Sequence, residues 1–425
     1  MNQWLRYAVI VAFVATPAVA VDVRYEVALR TDLRARNPLP GDLGTPVTGD
    51  LEFIPRAQLS LGLDASTLQF LYAPTLLWRE PQQGAQSQFL PLQRGRVAFD
   101  THWSRGTFHL SEDAAYGQTY VGALRNPEGS VDPVTEVQSV GFVTYLRSFT
   151  AMGLESRPSD HLTLGVLVGY QVSGSTGPPP EQNDPNGLLV VSPLPLQYGP
   201  TALATARATV TRLDGLTTAA QVSQAHFVTG ADQLVAQLRE TWDRQLSRTT
   251  TFTLGAGAAL AREAVVATTL TPNSAGTYLD LLPVASVGLD WRDVLSEHPI
   301  RLDTSLRMAP FADRFTGAVY ERVELRGHGE WRFAKDWVSS AAAGGAIAVP
   351  VSLALMAPEN VSRLTQVGDR VIYAEGTVIW AVKTWLLLQA SARVLWTEQP
   401  RFQTSGVQAV GTVSVTVQQQ DSLAW

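Results

Sequence analysis

The chain of 425 residues contains no cysteine and only two lysines, Lys335 and Lys383. Without cysteine there is no disulfide framework, no zinc–thiolate site and no thiol nucleophile. Charge is scarce: 16% of residues are Asp, Glu, Lys or Arg, against about 25% in ordinary globular chains. Net charge is −6 with a pI near 5.6, which argues against a nucleic-acid partner. Beyond the N-terminus no run of about 20 apolar residues occurs, so a helical membrane protein is excluded. What is abundant is glycine, alanine and threonine. A composition too uncharged for a soluble protein and too broken for membrane helices suits a transmembrane β-barrel.

Residues 1–20 carry an export signal. Arg6 supplies the positive region, Tyr7 to Ala15 a short apolar stretch, and Ala18-Val19-Ala20 an A-x-A cleavage site. No cysteine follows, so this is not a lipoprotein signal. The expected organisation is a signal peptide over 1–20 and one domain over 21–425.

The expected mature chain alternates from its first residue. Val21, Val23, Tyr25, Val27 and Leu29 interleave with Asp22, Arg24, Glu26 and Arg30. That is the period of a strand with one apolar and one polar face. Similar runs recur at 51–63, 68–78, 97–103, 162–172, 252–260, 279–291, 302–308, 319–333 and 386–396, and the total comes to about 18 strands. Short connections fall at 64–66, 104–106, 158–160, 214–215, 247–248, 293–298, 334–336 and 383–384. Longer ones fall at 32–49, 79–93, 119–135, 174–197, 264–276, 351–369 and 399–406, with brief ones near 230–232 and 313–317 on the same side. Tight periplasmic turns and longer external loops mark an outer-membrane barrel. The fold expected is therefore all-β: a single antiparallel transmembrane β-barrel of about 18 strands. Trp103, Trp242, Trp291, Trp331, Trp337, Trp380 and Trp385 fall beside short turns, with Trp78 and Trp396 at the other ends, as aromatic girdles require.

Three segments fit less well. Leu234, Leu238, Trp242 and Leu246 lie four apart, so 232–246 reads as a helix or a strand. Residues 112–150 alternate poorly and suggest a bulge or a misplaced boundary. The stretch 351–366 has the pattern of a short helix in an external loop.

For chemistry, the six histidines form no metal-ligand spacing. Asp100-Thr101-His102 resembles the Asp-x-His half of the outer-membrane aspartate/histidine proteases. His109-Leu110-Ser111 resembles the His-x-Ser arrangement of the outer-membrane phospholipase, without an Asn at the expected spacing. Neither pair has its third member in the sequence, and a non-enzyme is expected, with no cofactor and no metal. Gly255 and Gly257 read as small residues on a crowded strand rather than a phosphate loop.

The polar face is more informative. Arg322, Glu324, Arg326, His328, Glu330 and Arg332 share one parity, and Val319, Val323, Leu325 and Trp331 the other. Arginine at the bilayer midplane costs about 2–4 kcal/mol, so the charged row belongs in water. Arg94, Arg96, Asp100 and His102, with Arg301, Asp303 and Arg307, with Arg239 and Asp243, and with Arg207, form matching rows. These are the candidate pore-lining residues.

The signal peptide, the alternating strands, the asymmetric connections and terminal Trp425 together resemble bacterial outer-membrane β-barrel proteins. Leu423 fits the terminal strand of such barrels, whereas Gln419 and Asp421 depart from its apolar alternation. The hairpin Leu59–Trp78, with Tyr72-Ala73-Pro74-Thr75-Leu76, and Leu110-Ser111-Glu112-Asp113 look like the barrels that accompany Wzx/Wzy-type polysaccharide export. The resemblance implies an outer-membrane channel for hydrophilic solutes or exported polysaccharide. Its implied partners are outer-membrane lipid, the solute or glycan, and a periplasmic export component. A structural, adhesive or binding barrel acting through its loops, and an outer-membrane hydrolase, are the alternatives.

Overall fold

Period-2 alternation becomes strand along the whole chain. The computed structural model describes residues 21–36, 47–79, 88–120, 142–176, 195–265, 276–295, 297–312, 319–349, 353–354, 370–399 and 404–424. The expected signal sequence over 1–20, the Pro-rich stretch after Gly177, Trp425 and most of 351–366 lie outside these residues.

The chain opens with β1 (Val21–Arg36), β2 (Thr48–Leu63), β3 (Ser66–Tyr72), β4 (Thr75–Arg79), β5 (Gln88–Trp103), β6 (Gly106–Tyr120) and β7 (Phe142–Ser159). It continues through β8 (Leu162–Ser175), β9 (Gln197–Thr209), β10 (Asp214–Phe227), β11 (Asp232–Gln245), β12 (Thr250–Val265) and β13 (Gly276–Leu295). It ends with β14 (His298–Ala312), β15 (Val319–Ala334), β16 (Trp337–Val349), β17 (Leu353–Ala354), β18 (Arg370–Lys383), β19 (Leu386–Gln399) and β20 (Thr404–Ala424). β3 and β4 are two halves of one crossing: both pair with β2 and with β5, and Ala73-Pro74 interrupts them. Proline has no N–H for the ladder, which is why the break falls there. β17 is a two-residue piece beside β13. Eighteen antiparallel crossings remain, and β1 pairs with β20 to close the ring. Closure leaves no sheet edge unpaired in lipid.

The expected turns and connections fall between successive strands, with the largest departures where β1 runs on to Arg36, β5 begins at Gln88 and β7 begins only at Phe142, and Asp214 and Gly215 open β10 rather than forming its turn. Residues 232–246 form strand β11 rather than a helix, paired along its length with β10 and β12. Neighbouring strands on both sides supply a complete ladder, and that outweighs a local four-residue spacing.

One parity of every strand carries exposed apolar side chains, among them Val27 and Leu29 on β1, Leu164 and Val166 on β8, Leu302 and Leu306 on β14, and Val413 and Val415 on β20. This is the lipid face. Its rim beside the short turns is aromatic: Trp337 stacks on Trp380 with centroids 5.0 Å apart, and Phe333 bridges Trp331 and Trp337. The poor alternation after residue 112 has two causes. Glu112 falls on the lipid parity of β6, where the Ser148 hydroxyl donates to it at 2.7 Å and the Thr150 hydroxyl donates as well. These bonds offset the cost of facing a carboxylate to lipid. Gly117 then adopts φ +148, and a Cβ there would lie 2.2 Å from the Pro91 carbonyl.

The turn between β9 and β10 is organised by Asp214. Its carboxylate accepts from the Thr211 hydroxyl at 2.6 Å and from the Trp242 indole at 3.1 Å, and Arg244 lies 3.7 Å away. The Thr211 hydrogen bond, with Arg244 and the indole, holds the Asp214 carboxyl below the usual aspartate range despite some desolvation. A depressed carboxyl stabilises the fold above its unfolded pKa and loses that contribution as pH falls through its folded value. Acid titration of the folded barrel is therefore expected to disturb Trp242 fluorescence only below about pH 4. Asp214→Asn should remove that step, and a step that persists would assign it to another carboxylate.

Candidate functional site

Residues directly opposed on paired antiparallel strands share a face. Arg301 lies opposite Glu330, Asp303 opposite His328, Ser305 opposite Arg326 and Arg307 opposite Glu324. Arg94, Arg96, Asp100 and His102 stand opposite Ala115, Asp113, His109 and Thr107. Arg239 and Asp243 oppose Ala219 and Gly215, and Arg207 opposes Thr217 on the same parity of β10. Followed from pair to pair around the ring, these residues and Arg322 share the face opposite the apolar one. Arg332 falls in the register shift between Trp331 and Ala334, so pairing does not set its face.

The charges form connected rows. Asp290 on β13 binds Arg292 at 2.7 Å and Arg301 at 2.8 Å. Asp303 continues the row to His328 at 3.2 Å, and Arg322 reaches Glu324 at 3.6 Å. Arg322 also lies over the Phe311 ring, 5.1 Å from its centroid.

A second ion cluster stands on β1, β2 and β20. Asp32, with 0% exposure, takes two hydrogen bonds from Arg30 at 2.6 and 3.1 Å and one from Arg34 at 3.4 Å. Arg30 also donates to the Ser414 hydroxyl at 3.3 Å, and Arg34 to Glu52. The cluster lies partly within the expected connection over 32–49, because β1 continues to Arg36. The signal was there: Arg30, Asp32, Arg34 and Arg36 continue the polar parity against Thr31, Leu33 and Ala35. The Asp113–Arg147 pair at 3.7 Å on β6 and β7 is also absent from the expected rows.

The outer half of the inner face is less polar than alternation implies. Leu77, Leu90, Leu92, Leu282, Val284 and Leu395 lie on it and are buried. Part of the reason is that β14 parts from β13 while β15 stays on β16. β13 pairs with β14 only from Leu295 down to Ala285, whereas β14 and β15 stay paired out to Ala312 and Val319. The tip of this hairpin leans over the inner side of β12 and β13. Val319 packs with Ala259, Ala261, Leu282 and Val284, its N–H donates to the Glu263 carboxylate, and Tyr320 packs on Tyr278. β17 takes the vacated edge of β13 at Asp280 and Leu281. The lean explains Glu321: its parity faces lipid lower on β15, but here it is 1% exposed. It also accounts for Ala259 and Ala261 of β12, against which Val319 packs, whereas the glycines of β12 answer to the neighbouring strands. A Cβ on Gly257 would lie 2.1 Å from the Leu238 carbonyl, and one on Gly255 would lie 2.4 Å from the Ser286 hydroxyl.

One hydrogen-bonded set joins both sequence motifs. The ring nitrogen Nδ1 of His109 lies 2.6 Å from Asp100 Oδ1, and Nε2 lies 3.0 Å from Ser111 Oγ. His102, the expected partner of Asp100, stands instead opposite Thr107.

The model of the EpsX exopolysaccharide export family matches residues 17–423. The chain belongs to the EpsX exopolysaccharide export family. As a member of this family it is an exopolysaccharide-export protein, folded as a closed 18-strand antiparallel β-barrel. Among solved structures it is similar to the outer membrane protein opdK of Pseudomonas aeruginosa, at 11% identity and TM-score 0.46, covering 94% of this chain and 99% of that one. It is also similar to a BenF-like porin of Pseudomonas fluorescens Pf-5, at 10% identity and TM-score 0.47, covering 96% and 100%. No curated protein matches this chain.

Proposed function

We propose that the barrel passes an exported glycan chain through its interior, and that the charged rows line the path. Arg322, Glu324, Arg326, His328, Glu330 and Arg332 form the main row. Arg94, Arg96, Asp100, His102, Arg301, Asp303, Arg307, Arg239, Asp243 and Arg207 extend it around the ring. The observation that carries this reading is the register, which sets these residues, Arg332 apart, on one face of a closed sheet whose other face is apolar; Arg332 joins the row by sequence parity alone. Paired cations and anions offer many weak partners to hydroxyls and carboxylates, which permits passage rather than retention. Passage itself needs no covalent step. A periplasmic export component that hands over the chain is the protein partner in this reading.

Planar-bilayer recording of the purified barrel tests it. Ion conductance is expected. Changing Arg322, Arg326 and Arg332 together to Gln should move selectivity toward cations by roughly twofold at low salt, fading as the Debye length shrinks to about 3 Å at 1 M. Absence of conductance under all conditions would sink the open channel and leave the loop-binding barrel as the better account. Unchanged selectivity would place these arginines off the path.

A further inference from the structure

Asp100, His109 and Ser111 are contributed by two adjacent strands. Asp100 on β5 lies directly opposite His109 on β6, and Ser111 is two residues along β6 on the same inner face. With the proton on Nδ1, the imidazole donates to Asp100 and its Nε2 accepts the Ser111 hydroxyl. Both ring nitrogens are thus engaged as a nucleophile–base–orienter array requires. The other His–Asp pairs, His328–Asp303 and His226–Asp232, have no hydroxyl hydrogen-bonded to the imidazole among the described residues.

The surroundings suit acyl transfer. Ser111 faces Ala98 on one side and Ala151 on the other, so no large side chain stands directly beside its hydroxyl. Ser111 is 8% exposed, while the side chains of His109 and Asp100 are about a third exposed on the inner face. Arg96, exposed on β5 opposite Asp113, lies diagonally beyond Ser111 within the reach of a long side chain. It is the cation placed to meet a developing oxyanion.

We propose that Asp100, His109 and Ser111 form a hydrolytic site in the barrel wall that cleaves small carboxylic esters, with O-acyl substituents on a passing glycan as its substrate class. The glycan as carrier rests on the passage proposed above; the ester cleavage does not. Ser111 Oγ bonds to the ester carbonyl carbon as its proton moves to His109 Nε2. The C–O bond to the alcohol then breaks, and the alcohol oxygen takes that proton. Water attacks the acyl-serine with His109 again as base. The carboxylic acid leaves, and the proton returns to Ser111. Ser111 and His109 are the catalytic residues, and Asp100 is a positioning residue that fixes the tautomer and orientation of the ring.

The test uses the purified full barrel in micelles, with p-nitrophenyl acetate as substrate and a fluorophosphonate as active-site label. The label should map to the peptide containing Ser111. Turnover should fall at least about 100-fold in Ser111→Ala and in His109→Ala, with heat-modifiable migration showing that both variants fold. Asp100→Asn should lower kcat with KM unchanged, and Ser391→Ala should match the parent. An unlabelled Ser111, or turnover surviving in Ser111→Ala, overturns the site. A barrel that conducts but neither labels nor hydrolyses removes the site and leaves the passage standing. One that labels and hydrolyses but never conducts keeps the site and removes the passage.

Discussion

Asp32→Ala is expected to destabilise the barrel by about 3–5 kcal/mol, the usual consequence of removing one partner from a buried ion pair. Asp32 is fully buried and holds two guanidiniums at once, Arg30 through a fork of two hydrogen bonds and Arg34 through a third. Without it Arg30 keeps only Ser414 among these contacts, and Arg34 keeps Glu52. Two neighbouring cations then repel across a site with little water. The strands involved are β1, β2 and β20, the seam where the ring closes, so the loss falls on the pairing that joins the two ends of the chain. Equilibrium urea unfolding in micelles measures it. Asp32→Asn, which keeps acceptor geometry but not charge, should fall between the parent and the alanine variant. Equal stability of all three would show that water reaches the cluster and screens it.

Gly257→Val is expected to prevent assembly of the folded barrel. The added Cβ would sit 2.1 Å from the Leu238 carbonyl and 2.8 Å from Arg239 Cα, both backbone atoms of the paired strand β11. Backbone cannot rotate aside, so β11 and β12 must part locally. Overpacking alone costs about 1–3 kcal/mol, and the ladder bonds lost as the strands part add to it. Gly288→Ala on the adjacent strand is the control, because its Cβ would meet nothing closer than 3.6 Å. Heat-modifiable migration and protease resistance distinguish them: Gly288→Ala should fold as the parent does, and Gly257→Val should remain unfolded. Normal folding of Gly257→Val would mean that β11 and β12 separate at this point more readily than their register implies.

The crossings were legible because lipid and water impose opposite demands on alternate residues, and each turn interrupts the pattern. The faces of Arg301–Arg307 and Arg322–Glu330 were legible for the same reason, since each strand reports its own parity. What lay beyond the sequence was the pairing of strands with each other. Asp100 meets His109 rather than His102 because cross-strand register decides it, and no single strand encodes that. The inward lean of β14 and β15 was hidden differently. Val319 has the parity of a lipid-facing residue, and the same hydrophobicity serves it against Leu282 and Val284. Glu321 on that parity was the one discordant mark.

The parting of β13 from β14 above Ala285 has a mechanical consequence. The aperture is narrowed by a hairpin held to the wall through side-chain packing and the Val319–Glu263 bond, not through the β13–β14 ladder. On its other side β15 stays laddered to β16 out to Glu321 and Val349, so the hairpin is free of the wall along β14 and hinged to it along β15. A tilt about that one ladder would change the bore while the ring below Ala285 stays closed.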